Sequence, residues 1–216
     1  MRKEAVIFDM NGVIVNDERI HQESWRQLSK KYGFKLSEEQ FKHDVFGHTE
    51  VDTLDYLFKR HLSPEEQQPY LDERVKIAID LYKPQIALPN GLLEFFNLLE
   101  QNSIPVAIAT SARIPYTNFV LDSLKIRHFF THIVTSEEIK RSKPDPEIYL
   151  LAAQKLGIDS QLCIAIEDSL SGIKSAQAAG IYVIGITSTH TREELDLANL
   201  VIDSFTELSL EKLELA

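Results

Sequence analysis

The segment FDMNGVIVND, residues 8–17, places a carboxylate, Asp9, at the end of an apolar run and just before a Gly turn. A carboxylate there is suited to nucleophilic attack, and a second one two residues on would complete a nucleophile and acid/base pair. The chain has Asn11 at that position. Other polar residues follow other apolar runs: Thr110 and Ser111 after VAIA, Glu167 and Asp168 after CIAI, and Lys143 in KRSKPDPEIY. Each has a plain alternative. Asn-Gly between apolar runs is a hairpin signal, Asp168-Ser169 and Thr110-Ser111 are suited to capping helices, and a single lysine usually sits in solvent. Their joint occurrence, each just past an apolar run and in this order, is hard to obtain by chance.

The runs that precede these residues read as buried parallel strands, apolar without alternation and rich in Val and Ile. They are AVIF (5–8), VAIA (106–109), HIVT (132–135), CIAI (163–166) and YVIGI (182–186), with NLVID (199–203) as an expected edge. Helix-like segments alternate with the later ones. GLLEFFNLLEQN precedes the second, PEIYLLAAQKLG runs from Pro146 at a first turn to a stop at Gly157, and SGIKSAQAAG stops at Gly180. The alternation predicts an α/β fold with a doubly wound, Rossmann-like parallel sheet. In such a sheet the carboxyl ends of the strands open onto the ligand crevice, so the polar residues named above converge.

Residues 17–83 carry helical periodicity and no convincing strand. Ile20, Trp25, Leu28 and Tyr32 are expected on one helix face ending at Gly33, and SPEE at 63–66 reads as a capping box. The expected organisation is a core of residues 1–16 and 84–216 with an inserted helical cap domain at 17–83. Hinges near Asn16 and Pro84 would let that lid close over the strand ends.

The 216 residues are 44% apolar and 26% charged with a net charge of -10, and no Lys/Arg cluster is dense enough for a nucleic-acid footprint. An acidic chain that handles an anion must concentrate positive charge locally, through a metal, a lysine or helix N-termini. Cys163, the only cysteine, lies in LCIAI and reads as a buried structural thiol, which excludes a disulfide framework. No apolar run approaches the ~20 residues that span a membrane, and MRKEAVIF lacks the apolar stretch of a signal peptide. The expectation is a cytoplasmic protein with no nucleic-acid or membrane partner, and a monomer.

The motifs FDMNGVIV, IATSAR, KPDP and IEDSLSGIKSAQAAG resemble those of haloacid dehalogenase-like hydrolases, and HQESW and FGHT resemble cap segments of that family's branch containing β-phosphoglucomutase and phosphoglycolate phosphatase. The resemblance implies an enzyme, a phosphatase or phosphomutase, acting on a small phosphorylated metabolite with Mg²⁺. It implies that Asp9 is the nucleophile and forms an aspartyl-phosphate. Asp9, Asp168 and the backbone carbonyl of Asn11 would hold the Mg²⁺, with Glu167 acting directly or through water. Thr110 and Lys143 would bind the transferring phosphoryl oxygens, helped by the amides of Ser111 and Ala112. His21, Trp25, Gly47, His48 and Thr49 would contact substrate from the cap, and Arg113 a distal phosphate.

In family phosphatases an Asp at position 11 protonates the leaving oxygen and then activates water. The carbonyl role survives as Asn, but the proton transfer, commonly worth ~10²–10⁴ in rate, does not. Four readings of Asn11 stand: a slow natural phosphatase, altered chemistry, a catalytically silent phosphometabolite-binding protein, or a deliberate Asp-to-Asn change. Intact Asp9, Thr110, Lys143, Glu167 and Asp168 favour a hydrolase with impaired turnover. Glu50, where the mutases favour Arg, sets hydrolase ahead of mutase.

Overall fold

The computed structural model describes residues 2–45 and 49–213. These form two compact units, residues 1–16 with 86–216 and residues 17–85. The larger is built on six strands: β1 Ala5–Phe8, β2 Val106–Ala109, β3 His132–Val134, β4 Cys163–Glu167, β5 Tyr182–Ile186 and β6 Leu200–Ile202. They pair in the order β3-β2-β1-β4-β5-β6, all parallel. All six expected runs are strands, and NLVID is indeed an edge.

Strands buried on both faces need two apolar layers, and the residue sizes differ between them. On one face small residues (Ala5, Ala107, Ala109, Ala165) make room for Ile148, Tyr149 and Ala152 of α7 (Glu147–Leu156) and Ile173 and Ala176 of α8 (Leu170–Ala178). On the other, Phe8 lies against Phe95 and Phe96 of α5 (Leu92–Gln101) and against Phe130 and Phe205, with ring centroids 5.1–6.4 Å apart. Pro146 stands just before α7, at its N-cap, rather than in its first turn. Gly157 closes that helix with φ +71°.

The smaller unit holds α1 Glu18–Lys31, α2 Glu38–Asp44, α3 Glu50–Phe58 and α4 Pro64–Tyr82. Its own core includes Trp25, Leu28, Phe41, Leu54, Leu57 and Leu71. Ser63 and Glu66 form the expected capping box at the start of α4, with Pro64 at N1. Tyr32 departs from the expected helix face. It is 40% exposed, where its hydroxyl donates to Glu73 and its ring packs edge-on to Tyr70. No helix among the described residues is long and apolar enough to cross a membrane.

Candidate active site

The sheet order places β1 between β2 and β4, where the winding reverses direction. Connections leave for opposite faces of the sheet at such a point, and a crevice opens beyond the carboxyl ends of the strands. Phe8 is level with Ile108 on one side and Ile166 on the other, so Asp9, Ala109 and Glu167 follow at the same height. Asp9 is buried, and its amide donates to the Ile166 carbonyl at 3.0 Å.

After Asp9 the chain does not make the hairpin that Asn-Gly suggests. The Met10 carbonyl accepts from the amides of Ile14 at 2.8 Å and Val15 at 3.1 Å, and the Gly12 amide reaches the Val15 carbonyl at 2.6 Å. Residues 10–15 therefore close into a tight coil at the strand end. Gly12 makes that coil possible twice over. Its φ is +76°, and a Cβ there would fall 1.9 Å from Asp168 Oδ2.

Lys143, 134 residues from Asp9 in sequence, joins the loops. Its buried ammonium donates at 2.6 Å to Asp9 Oδ1, at 2.6 Å to Glu167 Oε1 and at 3.1 Å to the Ala109 carbonyl. Its three protons are then all placed. Burial works against that charge, but Asp9 and Glu167 outweigh it and hold the amine above the usual lysine range. Lys143 precedes Pro144 through a cis peptide bond.

Glu167 is fully buried and fully occupied. Oε1 accepts from Lys143 and from the Tyr149 hydroxyl at 2.7 Å, while Oε2 accepts from the amides of Asp168 and Ser169 and from Ser169 Oγ, at 3.1–3.3 Å. Five donors exceed the roughly four lone-pair sites of a carboxylate. The phenol of Tyr149 is kept protonated by burial and by the charges of Glu167 and Asp9, which suits it to donate. Gly172 leaves the space in which this carboxylate sits, because a Cβ there would lie 1.9 Å from its carboxyl carbon.

Asp168 is differently held. Thr189 Oγ1 donates to its Oδ2 at 2.5 Å. Burial, and then the charges of Glu167 and Asp9, push its carboxyl well above the usual range, with Thr189 and Lys143 acting in the opposite sense. Asp9, Glu167 and Asp168 each offer an oxygen within 4.8 Å of the others. Three buried carboxyl groups are thus gathered beside one ammonium. Such a set of oxygen donors fits a hard divalent cation.

Thr110 is buried at the end of β2, 3.4 Å from Asn11 Oδ1 through its hydroxyl. The Ala112 amide, expected to face a phosphoryl group, instead donates to Thr110 Oγ1 at 3.0 Å. Ser111 is exposed at the same turn. Arg113 stands at the N-cap of α6 (Ile114–Leu124), 3.5 Å from Glu137. His21, Trp25 and Thr49 belong to the smaller unit. Trp25 is 7% exposed within that unit's core and the Arg74 guanidinium lies over its ring at 5.0 Å. His21 bridges Asp17 and Arg74, each at 3.1 Å, and Thr49 caps α3 through the Asp52 amide. Gly47 and His48 lie outside the described residues.

A family model described as haloacid dehalogenase-like hydrolase matches residues 6–186. The chain belongs to that family. It is 26% identical over 207 residues, 95% of each chain, to validoxylamine A 7′-phosphate phosphatase of Streptomyces hygroscopicus subsp. limoneus. Among solved structures it resembles a family IA, variant 3 hydrolase from Entamoeba histolytica, with a TM-score of 0.90 and 32% identity over 98% of this chain and 97% of that one. It also resembles β-phosphoglucomutase from Clostridium difficile, with a TM-score of 0.82 and 28% identity over 98% and 96% of the chains.

Sequence reasoning missed Tyr149, Gly172, Ser188 and Thr189. A signal for the last two was present. TSTH, residues 187–190, directly follows the fifth strand, where the strand-end rule applies as it does to Asp9 and Thr110.

Proposed function

We propose that this protein is a phosphoric monoester hydrolase that acts on a small phosphorylated metabolite through Asp9. The observation that carries the reading is the buried ammonium of Lys143 held between Asp9 and Glu167, with Thr110 at the next strand end. The family and the phosphatase relative support it. In the first step an Asp9 oxygen attacks phosphorus and the bond to the leaving oxygen breaks, leaving an aspartyl-phosphate and an oxyanion that needs a proton. In the second, water attacks phosphorus and the Asp9 carboxylate leaves. Lys143 fixes the Asp9 rotamer through Oδ1 and would favour phosphoryl oxygens through its charge, its three protons being taken, with Thr110 beside it.

The cation that suits the acidic cluster is Mg²⁺, held by the carboxylates of Asp9 and Asp168 and the carbonyl of Asn11. Glu167 then acts from outside this set, because its oxygens are taken up by protein donors. Bound Mg²⁺ supplies charge neutralisation on the transferring group. Asn11 can neither give the leaving oxygen a proton nor take one from water. Turnover of alkyl esters is therefore slow in this form, and acyl phosphates, whose leaving groups need no proton, suffer least.

The smaller unit is the cap of this enzyme, and the mutase-like neighbour raises the question of a second phosphate site. Glu50 weighs against one. It is acidic, and Arg74 is paired with it. The test is phosphate release from p-nitrophenyl phosphate and acetyl phosphate with and without Mg²⁺, using Asp9→Asn as control. Mg²⁺-dependent release that disappears in Asp9→Asn is expected. Release equal in both proteins, or none from either substrate, would overturn the reading.

A further inference from the structure

The loop after β5 is bound to the site by consecutive side chains that neither the family motifs nor the proposed chemistry uses. Ser188 Oγ donates to the carbonyl of Gly12, in the coil that follows Asp9. Thr189 Oγ1 donates to Asp168 Oδ2 at 2.5 Å and lies 3.1 Å from the Asp168 carbonyl. His190 Nδ1 lies 2.9 Å from the same hydroxyl oxygen. Thr187 anchors the start of the loop to Asp203 at 2.7 Å.

We infer that Thr189 is a positioning residue for the cation site and that residues 187–190 form a clamp linking its two acidic loops. The inference rests on the Mg²⁺ reading given above. Asp9 and Asp168 are brought together by loops on separate strands, and a cation is bound tightly only if both carboxylates are held in place before it arrives. Asp9 is held by Lys143, and Glu167 by five donors. Asp168, which faces the same two like charges, is oriented by Thr189. Outer partners that hold a metal-ligating carboxylate typically matter 10–100-fold in metal affinity. Ser188 acts on the other loop: it ties the Gly12 carbonyl, next to the Asn11 carbonyl, to the same four-residue segment. One rigid segment thus sets the separation between the two loops.

The test is isothermal calorimetry of MgCl₂ binding to the full chain and to Thr189→Val and Thr189→Ser, each checked for native circular dichroism and melting. Val keeps the β-branched shape and removes the donor, whereas Ser keeps the donor. The expected result is a 10–100-fold weaker Mg²⁺ affinity in Thr189→Val, with Thr189→Ser close to the parent. Phosphate release by Thr189→Val should recover as MgCl₂ is raised, which general loss of folding would not allow. Should Thr189→Val misfold, Ser188→Ala is measured in its place, with weakened Mg²⁺ binding again expected and unchanged binding overturning the clamp. Equal affinity in the parent and a folded Thr189→Val overturns the role of Thr189 and leaves the proposed hydrolase intact. A parent chain that binds no Mg²⁺ overturns both.

Discussion

Replacing Asn11 by Asp supplies the acid/base carboxylate that the proposed chemistry lacks. The change is isosteric, so the 3.4 Å contact between Thr110 and the side-chain oxygen can persist and no packing is disturbed. The new carboxyl enters a site where three carboxylates already face one ammonium, and like charges favour its protonated form. That is the state a general acid needs. Restored proton transfer is worth ~10²–10⁴, or about 2.7–5.4 kcal/mol of barrier. The two kinetic constants separate its two roles. The value of kcat/KM reads capture of the phosphoryl group, so it should rise ~100-fold or more for a hexose 6-phosphate but little for acetyl phosphate. The value of kcat should rise for both, because hydrolysis of the aspartyl-phosphate needs a base whatever the first leaving group was. In the Asn11 form, rapid quench with acetyl phosphate should show a burst and a long-lived phosphoenzyme. If Asn11→Asp leaves ester hydrolysis at background while Mg²⁺ still binds, the acid/base reasoning fails, and a phosphometabolite-binding role becomes the better account.

Three further outcomes test the surroundings of Glu167 and the core under β4. Gly172→Ala should stabilise an ordinary helix by about 1 kcal/mol. Here the added methyl displaces the Glu167 carboxylate from beside Lys143, and breaking a buried pair costs about 3–5 kcal/mol. Net destabilisation of roughly 2–4 kcal/mol is expected in urea melts, and a variant as stable as the parent would show that Glu167 can relocate freely. Burial pushes the Cys163 thiol up to about 11. At pH 8 it should react with Ellman's reagent only after denaturation, and rapid reaction of the native protein would contradict its burial in β4. Because its folded pKa lies above the ordinary value, its contribution to stability is present below about pH 9 and is lost as pH rises toward 11. The alkaline fall in melting temperature should therefore be shallower in Cys163→Ala.

Much of this molecule is local in origin and so was legible in the chain. Short apolar runs without alternation, bounded by turn residues and alternating with helical segments, suit a parallel sheet covered on both sides, and all six runs are strands. The capping box at Ser63–Glu66 and the stop at Gly157 depend on neighbours a few residues away, and both are present. The carboxyl-end rule picked out Asp9, Thr110, Glu167 and Asp168 because strand polarity alone puts them on one rim. Tertiary structure decided what each of these residues has against it. Nothing near Glu167 in sequence indicates that Tyr149 and Lys143 saturate one of its oxygens. Nothing near Gly12 or Gly172 indicates that a carboxylate fills the place of the missing Cβ. Tyr32 has the spacing of a core residue yet reaches solvent, because Glu73 and Tyr70 offer its ring and hydroxyl a partner at the surface. The Asn-Gly turn follows the same logic. Its dipeptide favours a hairpin, but the parallel neighbours of β1 leave no place for a returning strand, and residues 10–15 coil over the strand end instead. Periodicity and capping are set by short-range sterics and hydrogen bonds, whereas occupancy of the buried carboxylates depends on groups from other elements, Tyr149 18 residues from Glu167 and Lys143 134 residues from Asp9.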